Sequence, residues 1–245
     1  MKAFAGAALA MLISLGTGCA HAERAVPAYA VAAVADAGRP AADRDRDANR
    51  KPAQVIAFAG VRPGMVVAEL DPARGYYTRI LAKAVGPKGK VLALVTEGQI
   101  ARPGVRDALD ALTAAYPNVT VLTVDYEALI LPQKVDLVWT TENYHDFHNG
   151  PAANVAAVDK GVYDNLKPGG IFYVEDHSAA AGAGLEATSK WHRMDEAIAK
   201  TELAAAGFRI EAEDDLLRNP NDNRDSSSRQ ADHFATDRFM LRLKK

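Results

Sequence analysis

Four histidines with acidic neighbours offer the plainest chemistry in this chain. His145, His148 and His177 follow two apolar runs, 135–140 and 171–175, and His192 comes further on. Asp146 and Asp176 adjoin them in sequence. A neutral imidazole accepts a proton near physiological pH, and a carboxylate on its other nitrogen fixes the tautomer. His145 and His177 are therefore candidate bases or substrate-orienting groups, with Asp146 or Asp176 holding the ring. The plainer alternative is that Asp176-His177 only ties down a loop. His145-x-x-His148, with Asp146, Asp176 and His177 nearby, also permits a divalent ion on mixed nitrogen and oxygen ligands. Spacing alone does not establish such a site, and no metal is assigned.

A second group of acids lies in VVAELDPARGYYTRILAKAVGPKGKV, residues 66–91. An apolar run ends in Glu69, breaks at Pro72, turns at Gly75 and continues with the helical spacing of Tyr76, Ile80, Leu81 and Val85. A Gly-Pro-Lys-Gly turn leads to another apolar run. That order describes a βαβ unit. In open α/β sheets, ligands bind beyond the carboxyl ends of strands. Glu69, Asp71 and the backbone at Gly75 should therefore face a small molecule.

The elements that must carry these residues alternate regularly. Strands are predicted at 65–70, 91–95, 119–124, 135–140 and 171–175, with helices at 76–85, 103–115 and 153–165. One long helix is predicted over 186–206, carrying Trp191, Met194 and Ile198 into the core. Strands at 208–213 and 238–243 follow, separated by a polar loop that could act as a lid. The pattern predicts an α/β sheet with helices on both faces. Ahead of it, 23–64 reads as a helical extension. There Asp43, Asp45 and Asp47 alternate with Arg44 and Arg46, but the glycine and distal glutamate of a calcium loop are missing. A capped or solvated helix entrance is the expectation.

The chain has 245 residues, 49% hydrophobic, enough for one well-filled domain. A net charge of -2 and no basic cluster argue against nucleic acid as a partner. Residues 1–22 read as a signal peptide ending in Ala20-His21-Ala22. Its apolar stretch is too short for a stable membrane span. Export to the periplasm is the expectation. The single cysteine, Cys19, raises the alternative of a lipid anchor, but Gly16 stands where a lipobox wants a branched aliphatic residue.

Glu69 at a strand end, the Gly75 loop, Asp125 after the third strand and Leu166-Lys167-Pro168-Gly169-Gly170 before the fifth together resemble class I S-adenosylmethionine-dependent methyltransferases. Arg50-Lys51-Pro52, the Glu69–Thr78 loop, Asn143-Tyr144-His145-Asp146, Asp176-His177, His192-Arg193 and Leu216-Leu217-Arg218-Asn219-Pro220 resemble more closely a group of exported bacterial predicted methyltransferases. The resemblance implies a Rossmann-like, mostly parallel seven-stranded sheet over 65–245 with an antiparallel C-terminal strand. It implies S-adenosylmethionine as cofactor, held by Glu69, Asp71, Gly75, Glu97 and Asp125. His145 and His177, backed by Asp176, would face a small-molecule acceptor.

The family loop reads acidic-x-Gly-x-Gly-x-Gly, whereas here it runs Glu69-Leu70-Asp71-Pro72-Ala73-Arg74-Gly75, with Arg74 and Asp71 adding bulk and charge. Val95 stands where the family places a ribose-binding acid, and Glu97 is the expected substitute. A second function class follows from these departures: an exported ligand- or metal-binding protein on a degenerate methyltransferase scaffold.

Overall fold

The structure is a computed structural model, and it describes residues 25–229 and 235–245. The expected signal peptide and Cys19 lie outside the described residues. Four short helices come first: α1 (Ala28–Val34), α2 (Ala41–Arg44), α3 (Asp47–Arg50) and α4 (Pro52–Ala59). The alternation then runs β1 (Val66–Leu70), α5 (Tyr76–Val85), β2 (Lys90–Val95), α6 (Glu97–Ile100), α7 (Val105–Ala115), β3 (Val119–Thr123) and β4 (Val135–Thr141). A 3₁₀ turn (Tyr144–His148) and α8 (Val155–Asn165) lead to β5 (Leu166–His177). The chain ends with α9 (Glu186–Trp191), α10 (Glu196–Ala205), β6 (Arg209–Asp214) and β7 (Arg238–Lys244).

Seven strands form one sheet in the order β3-β2-β1-β4-β5-β7-β6. The β1–β2, β2–β3, β1–β4 and β4–β5 pairs are parallel, while β7 runs antiparallel to both β5 and β6. This is the sheet that the family resemblance implies. Strand order reverses between β1 and β4, so their carboxyl ends diverge and leave a crevice.

Alternation along each strand divides the core between the two faces. Val67, Val91, Leu137, Trp139 and Tyr173 pack under α1, α4 and α5. Ala68, Leu92, Val138, Phe172 and Val174 pack under α8 and α10. Local signals set the helix limits. Pro52 opens α4 and Gly60, at φ 77°, closes it. Asn154 and Asp195 cap α8 and α10 by accepting from the backbone N–H of Ala157 and Ala197.

Two expectations change. The long helix over 186–206 is broken, because His192 takes a left-handed conformation (φ 50°). Extended chain follows, with Met194 N–H donating to the His177 carbonyl (2.8 Å) and Ala179 N–H donating to the Met194 carbonyl (2.9 Å). Met194 is buried, but Trp191, Met194 and Ile198 do not share a helix face. Of the alternating aspartates, Asp45 is exposed as expected, but Asp43 and Asp47 are structural docking groups. Asp47 pairs with Arg39 and accepts from the Tyr76 hydroxyl (2.6 Å), and Asp43 pairs with Arg79 (3.0 Å). Both contacts hold the extension against α5.

Candidate active site

A cavity of about 600 Å³ opens at the reversal point between β1 and β4. Glu69, Asp71, Pro72, Ala73 and Arg74 line it from the β1 end, and Thr141, Glu142 and Asn143 from the β4 end. Tyr76 and Tyr77 at the start of α5 form part of its wall. Arg46 and Arg50 of the extension line it as well.

The loop after β1 explains how this cavity survives the loss of glycines. Asp71, Ala73 and Gly75 all have positive φ, at 43°, 50° and 85°. These are the three positions where the family pattern has glycine, so the backbone course is retained with two residues that pay for it in strain. Asp71 relieves part of this by accepting from Ala73 N–H (3.2 Å). Its own N–H reaches the Leu94 carbonyl (3.1 Å) and the Tyr126 hydroxyl (2.9 Å). Gly75 is required by its left-handed backbone, and a Cβ there would also lie 2.5 Å from Leu112 Cδ1, so that buried side chain would have to shift. Arg74 does not fold across the cavity. It is exposed, follows the rim and donates to the Pro103 carbonyl (3.1 Å).

Among the described residues, Glu69 Oε2 and the Tyr77 hydroxyl are buried in this wall without a hydrogen-bond partner. Burial pushes the Glu69 carboxyl up to about 8. Burial also raises Asp71, against the pull of Arg102 3.2 Å away. At Glu69 the Thr78 hydroxyl and the Arg79 and Arg50 charges offset only part of the burial, so a cation beside its free oxygen would favour the ionised form.

Glu142, next to β4 and itself at φ 55°, is the electrostatic centre between cavity and sheet. Arg50 and Arg238 both pair with it, the latter at 2.9 Å, and Arg238 also reaches Glu175 at 3.0 Å. Burial alone would raise Glu142, but Arg50 and the other charges around it outweigh burial and hold it below the usual carboxylate range. The same environment raises Arg50, whose burial is overcome by Glu142. Sequence reasoning missed Glu142, Arg46 and Arg238. The signal was there in Arg50-Lys51-Pro52 and in an acid directly after a strand, but only folding brings residues 50, 142 and 238 together.

A smaller cavity of about 300 Å³ adjoins the first, sharing Glu142, Asp146 and Arg229 with it. His145, His177 and His192 line it. His145 Nδ1 lies 2.8 Å from Asp176 Oδ1, and Asp176 also accepts from the backbone N–H of His145 (2.6 Å) and His177 (2.8 Å). Of the two aspartates, Asp176 thus fixes the His145 tautomer. Fully buried, Asp176 is a positioning group. Burial works against a charged His145, but the Asp176 carboxylate outweighs it and raises the imidazole above its ordinary value. His177, held through Nδ1 by Thr236 Oγ1 (2.8 Å), is pushed down to about 4 by burial.

The remaining expectations divide. His148 turns away to Glu202 (2.9 Å) and does not line either cavity. Glu97 is exposed at the start of α6, whose N-cap Thr96 forms a capping box with Gln99. Asp125 is exposed and caps a turn by accepting from Glu127 N–H (3.0 Å). Neither Glu97 nor Asp125 lines the larger cavity. Asp favours such turns, and Glu97 falls one residue past the cap, where its side chain points to solvent.

No family model and no curated protein matches the chain. Solved structures do. A SAM-dependent methyltransferase from Aquifex aeolicus is 19% identical with a TM-score of 0.57, covering 82% of this chain and 98% of that one. Fibrillarin from Aeropyrum pernix, solved with natively bound S-adenosyl-L-methionine, is 17% identical with a TM-score of 0.52, covering 81% and 76%. The [4+2]-cyclase SpnF is 16% identical with a TM-score of 0.58, covering 86% and 84%. Sheet order, the antiparallel β7 and these likenesses agree: the chain has the Rossmann-like fold of class I S-adenosylmethionine-dependent methyltransferases.

Proposed function

We propose that the protein is an S-adenosylmethionine-dependent methyltransferase acting on a small polar or aromatic molecule. One observation carries this reading: a cavity at the β1/β4 reversal whose wall holds the unpartnered Glu69 Oε2, beside a loop that keeps the backbone turns of the glycine pattern. Its size suits a ligand of that class. When bound, the cofactor supplies an electrophilic methyl group on a sulfonium. Asp71, and Glu69 once it gives up its proton, offer negative charge to a ligand that carries cationic centres, and Arg46 offers a cation to its carboxylate. The backbone of residues 71–75 allows close approach. His145, oriented by Asp176, presents Nε2 toward the smaller cavity, where it can take a proton from the acceptor. His177 shares that wall as an orienting group. Most of the rate would come from holding donor and acceptor in line.

A second reading, a ligand-binding protein or another enzyme on this scaffold, is favoured by the place of Glu97. No carboxylate from the β2 end reaches the cavity, and a cyclase shares the fold. Calorimetric titration with S-adenosylmethionine separates the two. Saturable micromolar binding supports methyl transfer, and silence up to millimolar cofactor removes it.

The likeness to exported bacterial predicted methyltransferases and the pattern of residues 1–22 support export to the periplasm as part of this reading. No helix among the described residues is long and apolar enough to cross a membrane. Fractionation of cells producing the full chain, with N-terminal sequencing of the product, tests cleavage after Ala22.

A further inference from the structure

The smaller cavity contains a ligand set that differs from the one sequence spacing permits: His145 and Asp146 belong to both, but His192 takes the place of His148. His145, Asp146 and His192 each place one ligand atom so that all three lie within 4.8 Å of one another. His145 Nε2 is 3.5 Å from Asp146 Oδ1, and His192 Nδ1 is 3.6 Å from the same oxygen. Ligands about 2.1 Å from a tetrahedral ion are separated by roughly 3.4 Å, so both edges are close to the length such an ion needs.

Three further features fit an ion there. His192 Nδ1 is buried with no hydrogen-bond partner within 3.5 Å, Asp146 Oδ1 standing just beyond at 3.6 Å. His145 shows the support usual for a metal-bound imidazole, since its other ring nitrogen is held by the buried carboxylate of Asp176. The break between α9 and α10 serves the same geometry. His192 is kept in its left-handed conformation while Ser228 Oγ donates to its carbonyl (2.9 Å) and Ser228 N–H donates to the carbonyl of Trp191 (2.9 Å). A strained non-glycine residue locked in place beside two potential ligands calls for a local function. Arg229 lies 4.0 Å from Asp146 Oδ1, but its side chain is largely exposed and free to leave.

We infer that His145 Nε2, His192 Nδ1 and Asp146 Oδ1 bind one divalent transition-metal ion of the zinc class. Two imidazoles and a carboxylate form a mixed set with room for further ligands on the cavity side. His177 faces the same cavity, its ring 6.3 Å from that of His145, and stands beside the ion rather than within the set. If methyl transfer is the activity, the open positions would take the hydroxyl or thiol of the acceptor. That assignment of acceptor class rests on the reading above; the metal site does not. With an ion on Nε2, His145 would no longer serve as a base.

The test uses the full chain stripped with a chelator and titrated with zinc chloride by calorimetry. One equivalent should bind with micromolar or tighter affinity. His145→Ala and His192→Ala should each weaken binding at least about 100-fold, and Asp176→Asn by about 10- to 100-fold. His148→Ala should bind zinc as the parent does. Cobalt(II) added to the unaltered chain gives a readout that depends on no variant: intense visible absorption marks a tetrahedral site. No zinc uptake at millimolar concentration, only weak octahedral-type absorption with cobalt, or binding that survives both His145→Ala and His192→Ala would each overturn the site. None of these outcomes bears on S-adenosylmethionine binding, so the metal site and the methyl-transfer reading fail separately.

Discussion

Asn143 Nδ2 donates to the carbonyl of Leu70 at 2.9 Å, joining the end of β4 to the end of β1 across the point where strand order reverses. The Asn143 side-chain oxygen accepts from the Thr140 hydroxyl, so the amide is fixed from both sides. Asn143→Ala would leave the Leu70 carbonyl and the Thr140 hydroxyl without partners in a buried setting. We expect a loss of about 1–3 kcal/mol, read as a lower urea midpoint with unchanged slope. Cofactor affinity should fall in the same variant, because the link fixes the loop that begins at Asp71. An unchanged midpoint would mean that water replaces the amide.

The loop itself makes a paired prediction. Ala73 has φ 50° and Gly75 has φ 85°. Ala73→Gly should stabilise the protein by about 1 kcal/mol, since the left-handed conformation costs alanine roughly that much relative to glycine. Gly75→Ala should do the reverse by more, because its Cβ would meet Leu112 Cδ1 at 2.5 Å. Arg74→Gly should change cofactor affinity little, as Arg74 lies along the rim with its guanidinium on Pro103. Thermal melts of the three variants check this, and a destabilised Ala73→Gly would show that the loop is not strained.

What the sequence revealed follows from the range of the forces involved. Alternation and helical spacing are local, so β1, α5, β2 and β4 were legible to within a residue or two, and so was the position of Glu69 and Asp71 at a strand end. The break at His192 was not. Its left-handed backbone answers to Ser228 and to the extended segment at Met194, contacts remote in sequence or hidden in an apolar pattern that reads as helix. Glu97 and Asp125 were placed by analogy with the family's strand ends, and the capping box at Thr96 and the turn at Asp125 direct them elsewhere. Of the histidines, His145 and His177 were expected where they stand, whereas His148 turns to Glu202 because the 3₁₀ turn carries it to the α10 side.

Glu142 predicts a strong acid dependence. Its carboxyl is held below the usual range, chiefly by Arg50 against the cost of burial, so its contribution to stability is complete above the unfolded-state value near 4.5 and declines as pH falls from there. Glu142→Gln would leave Arg50 and Arg238 buried beside a neutral amide, and Arg238 would keep Glu175 and the Asn49 carbonyl as partners. A loss of about 3–5 kcal/mol is expected at neutral pH. The variant should lose part of the parent's acid sensitivity, measured as denaturant midpoints between pH 3 and 7. Equal slopes in the two proteins would remove Glu142 as the source.

Glu69 predicts the opposite pH trend and links it to ligand binding. Its folded pKa, about 8, lies above the unfolded value of 4.5, so between those limits the folded protein holds a proton that the unfolded chain releases. Stability should therefore fall as pH rises from about 5 to 8, by at most several kcal/mol, since each tenfold difference in proton affinity is worth about 1.4 kcal/mol. Glu69→Gln should flatten that part of the profile. A cationic ligand next to the carboxylate favours its ionised form, so binding S-adenosylmethionine at pH 7 should expel close to one proton. Calorimetry in buffers of different ionisation enthalpy measures that number directly. Binding without proton release, or release that persists in Glu69→Gln, would place the cationic part of the cofactor away from Glu69.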